Sequence, residues 1–173
     1  DMANTEAYSE AGVWEWDGES WERVVPADDT PLARTYACSA YSAELGEVIY
    51  FGGCPNEDCG RSILDDLWSW DGTRWTELNV PNMPTGQYLC RMARDAESDE
   101  ILMLPGYWAA GLALESDVFW SFSPTGWQEI DLIDNISEPS GTMVYDSKQE
   151  RYLSYTSQIG RVDHIDLSAD RYP

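Results

Sequence analysis

Positive charge is scarce in this chain of 173 residues. Lysine and arginine total 10, of which a single residue, Lys148, is lysine, and 32 acidic side chains bring the formal net charge to −22. A field of that sign repels phosphate backbones and anionic lipid surfaces, which argues against nucleic acid and membrane surfaces as partners. Histidine occurs once, at His164, so a cluster of histidine metal ligands is excluded.

Long apolar runs and calcium-binding loops are also lacking. The longest apolar run, residues 101–114, is shorter than the roughly 20 residues of a spanning helix and is broken by Pro105 and Gly106. No D-x-[DN]-x-[DN]-G loop for Ca²⁺ occurs, and the acidic excess is typical of a solvated surface. The chain begins at Asp1 without a signal sequence, so we expect a mature chain or a segment of a longer one.

Tryptophan and tyrosine are abundant, with 9 and 10 copies against 3 phenylalanines, which favours β-structure. Three segments are alike: V-W-E-W-D-G-E-S-W from Val13, L-W-S-W-D-G-T-R-W from Leu67, and F-W-S-F-S-P-T-G-W from Phe119. Their first tryptophans stand 54 and then 52 residues apart, and a weaker copy begins at Val162. The chain therefore contains an internal repeat.

A second apolar segment recurs between these copies and ends at Gly53, Gly106 and Tyr155. Two alternating apolar segments in a period near 50 residues are typical of propeller blades. Side chains alternate with period two within each segment, and Asp71-Gly72 predicts a tight hairpin turn. Helical spacing is absent, so the sequence predicts an all-β protein.

The repeat also resembles a known family. The pair Gly52-Gly53 after V-I-Y-F, followed by a loop and L-W-S-W-D-G-T-R-W, resembles the bacterial kelch repeat over nearly the whole chain. The second copy departs from it with Pro105-Gly106, and the third has no glycine pair near Tyr155. A sialidase-type Asp box, S-x-D-x-G, is not matched by S-W-D-G-T. The resemblance implies a kelch-like β-propeller of four-stranded blades.

The repeat boundaries divide residues 1–173, one domain, into thirteen expected strands. Residues 12–25 supply the last two strands of one blade, 34–78 and 87–130 are complete blades, and 141–173 form a partial blade. Propellers have about 4 to 8 blades of four strands. We therefore expect three to four blades of a larger propeller, or of one that neighbouring chains complete.

Four cysteines allow three pairings. Cys54 and Cys59 share one short loop, whereas Cys38 and Cys90 occupy equivalent positions on the innermost strands of adjacent blades. We predict a Cys54–Cys59 disulfide first and a Cys38–Cys90 disulfide second; the alternative is four reduced thiols. Disulfides imply an extracellular or periplasmic protein, and the spacing does not suit a zinc site, so no metal is predicted.

Catalytic residues are not predicted. The galactose-oxidase relatives among kelch proteins use a copper site with Tyr, His and Cys ligands, which a single histidine does not supply. Arg34, Arg91 and Arg161 lie near blade tops or inner strands but do not align in the repeat, unlike a sialidase-type arginine triad. We expect salt bridges for them and keep Arg34 and Arg91 as candidate ligand contacts. The repeated tryptophans are expected between blades: Trp14, Trp16, Trp21, Trp68, Trp70, Trp75 and Trp127.

The non-repeated loops of one propeller face are the expected binding surface. The loop at 106–116 is apolar and aromatic, with Tyr107, Trp108 and Leu112, and the loop at 54–62 adds Asn56. Such a loop indicates a contact site, or else a plug over the channel mouth. The sequence thus predicts a non-catalytic, exported binding module without a cofactor, for a protein or carbohydrate partner. Alternatives are a structural subunit completed by neighbouring chains and a fragment of a propeller enzyme.

Overall fold

The computed structural model describes residues 12–27, 29–55, 59, 62–107, 118–131, 141–156 and 161–165. Regular structure within those residues consists of thirteen strands and no helix. The strands in chain order are β1 (Val13–Trp16), β2 (Trp21–Val24), β3 (Cys38–Ser42), β4 (Glu47–Phe51), β5 (Leu67–Trp70), β6 (Trp75–Glu77), β7 (Arg91–Arg94), β8 (Ile101–Leu104), β9 (Val118–Ser123), β10 (Gly126–Asp131), β11 (Thr142–Asp146), β12 (Arg151–Thr156) and β13 (Arg161–Ile165).

The strands form four antiparallel sheets, and each sheet is built from strands that follow one another directly along the chain. The first sheet contains β1 and β2, the second β3 to β6, the third β7 to β10, and the fourth β11 to β13. No sheet closes on itself within the described ranges. The all-β class is confirmed, and the strands divide among the sheets as the repeats indicate.

One aspartate shapes the hairpin turn in each of the first two W-x-W-D-G-x-x-W copies. Asp71 Oδ1 accepts the backbone N–H groups of Thr73 and Arg74 at 2.8 Å each, and these bonds lower the pKa of Asp71. Gly72, between Asp71 and Thr73, has a φ of +96°, which glycine adopts without strain. Asp17 makes the same bonds in the first copy. The hairpin turn predicted at Asp71-Gly72 is confirmed, and it spans residues 71–74 between Trp70 and Trp75.

The two ends of the motif meet across each hairpin. Trp16 pairs with Trp21, Trp70 with Trp75, and Phe122 with Trp127, with ring centroids 5.6, 5.3 and 5.1 Å apart. The third copy replaces the Asp-Gly turn with a shorter one and yet keeps this register. Each hairpin therefore carries an aromatic pair on one face of its sheet.

Neighbouring sheets pack face to face in chain order. The first strands of the second, third and fourth sheets are adjacent, because β3 contacts β7 and β7 contacts β11. One core lies between the second and third sheets and is centred on Ile49, Phe51, Ile101 and Met103. A second core lies between the third and fourth sheets and includes Leu102, Leu104, Phe119, Met143 and Tyr152. The third sheet thus buries both faces, as its alternating apolar side chains require.

A carboxylate ties the turns of the second and third sheets together. Asp99, between β7 and β8, accepts the backbone N–H groups of Ala43 and Glu44 at 2.9 and 2.5 Å and forms an ion pair with Arg94. Burial disfavours its charged form, but the bonds from Arg94, Glu44 and Ala43 outweigh burial and lower the pKa of Asp99. The charged carboxylate therefore stabilises this junction at neutral pH.

The first hairpin differs from the expected inter-blade core. Trp14, Trp16 and Trp21 are 58%, 51% and 64% exposed, whereas Trp70 and Trp127 are buried. Trp70 is covered by the first sheet and donates from Nε1 to Glu15 at 3.2 Å. Trp127 packs on Phe51 of the second sheet. No described sheet precedes β1–β2, so its tryptophans have no such cover.

Candidate functional site

Two isolated antiparallel β-bridges lie at one edge of the second and third sheets. Beyond the paired strands, Thr35 and Cys54 exchange backbone hydrogen bonds at 3.0 Å, and Tyr88 and Tyr107 exchange them at 2.9 and 2.8 Å. A Cβ on Gly53 would lie 2.7 Å from the Thr35 carbonyl oxygen. A Cβ on Gly106 would lie 2.2 Å from that of Tyr88. Glycine is needed at both positions because the backbones approach so closely.

Three tyrosines converge at this edge and form what we call the tyrosine cluster: Tyr36, Tyr88 and Tyr107. The Tyr88 and Tyr107 rings are stacked with centroids 5.6 Å apart, and the Tyr36 ring lies 6.4 Å from that of Tyr88. The Leu89 N–H donates to the Tyr36 carbonyl at 2.8 Å, which joins the two sheets at this point. Tyr36 is 50% exposed, and its partners are half-buried. The cluster therefore offers aromatic surface to solvent on a hydrogen-bonded backbone.

A salt bridge lies beside the cluster. Arg34 holds Asp66 through both carboxylate oxygens, at 2.5 and 2.7 Å, and also donates to the Gly52 carbonyl at 3.0 Å. Burial disfavours the charged form of Asp66, but the bonds from Arg34 and Trp68 outweigh it and lower the pKa of Asp66. The Arg34 side chain is fully buried in this arrangement and lies over the Tyr50 ring. Its contacts are those of the structural salt bridge expected from the sequence.

The other candidate site residues have different positions. Arg91 is buried between the third and fourth sheets, where Nη1 donates to Ser154 at 2.5 Å. Tyr107 belongs to the cluster. Trp108, Leu112 and Asn56 lie outside the described residues.

Sequence reasoning missed Tyr36 and Tyr88. A signal was present, because each tyrosine stands two residues before a cysteine, in T-Y-A-C and Q-Y-L-C. Strand pairing shows why the signal is hard to interpret: Thr35 corresponds to Tyr88, so Tyr36 corresponds to Leu89. Both of those residues have φ near +60°. The rings of Tyr36 and Tyr88 are therefore in contact although the two residues do not occupy equivalent positions in the repeat.

Both expected cysteine pairs are joined by disulfides, and the described chain has no free cysteine. Cys38 and Cys90 link the second and third sheets with Cα atoms 5.5 Å apart. Strand register corrects their expected equivalence, since Cys38 corresponds to Arg91 and Cys90 to Ala37. Cys54 and Cys59 close the loop next to Thr35. Both flanks of the tyrosine cluster are thus covalently fixed.

A shallow groove of about 760 Å³ lies elsewhere, where residues 82–83 meet β9 and β10. Its lining is mostly polar; of its larger apolar members, Trp127 belongs to the core, and Met83 and Trp120 pack against it. In the described part of the chain, no three His, Cys, Asp or Glu side chains are grouped as metal ligands. Nor does that part contain a helix long and apolar enough to cross a membrane.

Comparison with known proteins adds evidence on the fold. No protein-family model and no curated protein matches the chain. Among solved structures, it is similar to a fungal alcohol oxidase of the AA5 family in complex with copper, with a TM-score of 0.56 and 12% identity. The match covers 84% of this chain and 32% of that one, so this chain spans about a third of that protein's length. At this identity the similarity concerns the fold alone.

Proposed function

We propose that this chain is an exported, non-catalytic binding module, that its sheets are blades of a kelch-like β-propeller, and that it binds a protein or carbohydrate partner through the tyrosine cluster. The observation that carries the proposal is the half-exposed ring of Tyr36 beside the Tyr88–Tyr107 stack. The other half-exposed tyrosines, Tyr41 and Tyr155, have no ring partner among the aromatic pairs of the described chain.

The arrangement of the sheets supports the blade assignment. The second, third and fourth sheets are antiparallel meanders, and their first strands are neighbours, as around a propeller axis. The W-x-W face of the second and third sheets packs on the preceding sheet in both cases. With the kelch-like repeats of the sequence, this favours a propeller over a two-layer sandwich.

The chemistry of the cluster suits recognition of a flat or ring-shaped surface. A tyrosine combines an apolar ring face with a hydroxyl that donates and accepts hydrogen bonds, and tyrosine is enriched at protein interfaces. Its few rotatable bonds, on a backbone fixed by bonds such as Leu89 to Tyr36, reduce the entropy lost on binding. The net charge of −22 favours neutral or cationic partners.

Two disulfides support export, because such bonds persist in oxidising compartments. In an extracellular or periplasmic setting, glycans and the surfaces of other exported proteins are the available partners. The same bonds keep the tyrosine cluster in place whether or not a partner is bound.

The proposal is tested by presenting biotinylated protein to an array of glycans and an array of purified extracellular protein domains. Each ligand found is then titrated against the parent chain and Tyr36→Ser. An aromatic contact at the centre of an interface is worth about 2 kcal/mol or more, so we expect a loss of affinity of about 30-fold. Tyr107→Ser should weaken binding in the same direction.

The matched control is Tyr41→Ser. Tyr41 is 50% exposed, as Tyr36 is, and lies toward the other end of β3. Its substitution should leave affinity unchanged. An equal loss in both variants, no loss in Tyr36→Ser, or no ligand on either array would contradict the proposal.

A further inference from the structure

Two exposed apolar faces stand at opposite ends of the row of sheets. The outer face of the first sheet carries Trp14, Trp16 and Trp21, and we call it the head face. The outer face of the fourth sheet carries Val144 and Tyr155, which are 51% and 47% exposed, together with half-buried Leu153; we call it the tail face. Apolar surfaces of this kind, rimmed by charge, mark interaction sites.

The repeats show what covers a head face elsewhere in the molecule. Trp70 holds the position of Trp16 and is 7% exposed beneath the first sheet. Trp127 holds the position of Trp21 and is 2% exposed, with its ring 5.6 Å from Phe51 of the second sheet. Aromatic faces of this type therefore pack on the face of another sheet.

Strand register identifies the tail face as the matching surface. The cross-strand pair Val144–Leu153 corresponds to Ala93–Leu102 in the third sheet and to Ala40–Ile49 in the second. In those two sheets Leu102 and Ile49 are fully buried beneath the next sheet along the chain. Tyr155 likewise corresponds to Leu104 and Phe51, both fully buried. The fourth sheet presents the same kind of face without a described sheet over it.

We propose that the head face of one molecule packs on the tail face of a second copy of this chain. The contact reproduces the packing found twice within the molecule, between the first and second sheets and between the second and third. It is heterologous, because two different surfaces meet, so it generates rings or open chains rather than closed twofold dimers. This inference concerns surfaces other than the tyrosine cluster and does not depend on the binding function.

Charge sets the conditions under which association is strongest. Each copy carries −22, so two copies repel each other at low ionic strength, and salt screens that repulsion. Apolar packing between the faces is not weakened by salt. We therefore expect association to increase with both protein concentration and salt concentration.

The test is sedimentation velocity on the full chain and two variants. The head variant is Trp14→Ser with Trp16→Ser, and the tail variant is Val144→Asp with Tyr155→Asp. The parent chain should associate in high salt, and each variant alone should bind itself at least tenfold more weakly. Mixed one to one, the variants should form dimers and nothing larger, because the tail variant's intact head face meets the head variant's intact tail face.

Tyr41→Ser is the control, since it removes an equally exposed aromatic from a surface outside both faces. It should associate like the parent chain, and near-ultraviolet circular dichroism should show all variants folded. A parent chain that stays monomeric in high salt would overturn the proposal, as would association that survives in either variant. Mixed variants that stay monomeric would overturn the head-to-tail arrangement in favour of a symmetric contact.

Discussion

Arg34 and Asp66 form a salt bridge with two hydrogen bonds beside the tyrosine cluster. The Arg34 side chain is fully buried. Its bonds to Asp66, Gly52 and Leu32 hold the segment before β3 against the ends of β4 and β5. A planar five-donor group suits such a network, and lysine could not replace it. The pair therefore serves to position the backbone that carries Tyr36 and Thr35.

Removal of Arg34 is expected to be costly. Arg34→Ala leaves the Asp66 carboxylate partly buried without its partner, and the loss should be about 3 kcal/mol, near the lower end for broken buried pairs because Asp66 keeps some exposure. Chemical denaturation of the variant measures the loss. Glu77→Gln, at an exposed position of β6, is the control and should change stability by about 0.5 kcal/mol at most. An equal loss in both would show that the pair adds nothing.

The same pair predicts a pH dependence. The folded pKa of Asp66 lies below its usual value, so its contribution is fully present above about pH 4 and is lost as pH falls through the folded pKa. Asp66→Asn should therefore flatten the fall of stability in acid. The free energy of unfolding of both proteins, measured from pH 6 downward, should converge at low pH. Parallel curves would mean that Asp66 does not carry this dependence.

The hairpin of the W-x-W-D-G-x-x-W motif is a local unit whose surroundings differ from copy to copy. Asp17 and Asp71 make the same turn bonds, and Trp16 and Trp70 hold the same position. Trp70 is buried under a neighbouring sheet and Trp16 is not. The motif therefore specifies the strand pairing, whereas the contribution of its tryptophans to stability depends on whether a neighbouring sheet covers them.

These two tryptophans provide a matched pair of substitutions. Trp70→Ala should cost about 3–5 kcal/mol, as large aromatic truncations in cores do. Trp16→Ala, at the corresponding exposed position, should change the monomer's stability by about 0.5 kcal/mol or less. Thermal melting at low salt and low concentration measures both without contributions from association. Similar losses in the two variants would contradict the assignment of the buried face.

The same contrast explains how much could be predicted from sequence. Period-two alternation and turn residues are local, so the strands and their grouping into sheets follow from the repeats. The exposure of Trp14, Trp16 and Trp21 depends on the neighbouring sheet, which no local pattern encodes. Tyr36 and Tyr88 were missed for a similar reason, since their rings meet only because Leu89 bonds to Tyr36 across two sheets. Arg34 was recognised as a salt-bridge residue because carboxylates are so numerous.

Two disulfides of very different span cross-link the chain. Cys38 and Cys90 are separated by 52 positions in the sequence and join two sheets, whereas Cys54 and Cys59 are separated by 5 and close one loop. A cross-link that restricts a longer loop of the unfolded chain contributes more to stability on the chain-entropy account. The Cys38–Cys90 disulfide is therefore expected to contribute more to the free energy of unfolding than the Cys54–Cys59 disulfide.

Paired cysteine-to-serine variants measure that difference. On the loop-entropy relation, removal of Cys38–Cys90 should cost about 4 kcal/mol and removal of Cys54–Cys59 about 2 kcal/mol. Chemical denaturation of each double variant gives the two values. Mass spectrometry of non-reduced peptides should find both linkages in the parent chain, and four alkylatable thiols there would contradict the bonds and the proposed export together.

The Cys38–Cys90 bond also has a consequence for synthesis. On the proposed export route, Cys54 and Cys59 leave the translocon close together, and their loop can close while the second sheet is still alone. Cys90 emerges 52 residues after Cys38, when the third sheet has only begun to appear. Until then Cys38 is an open thiol beside Cys54 and Cys59. The order of closure therefore decides between native pairing and a scrambled product that thiol exchange must correct.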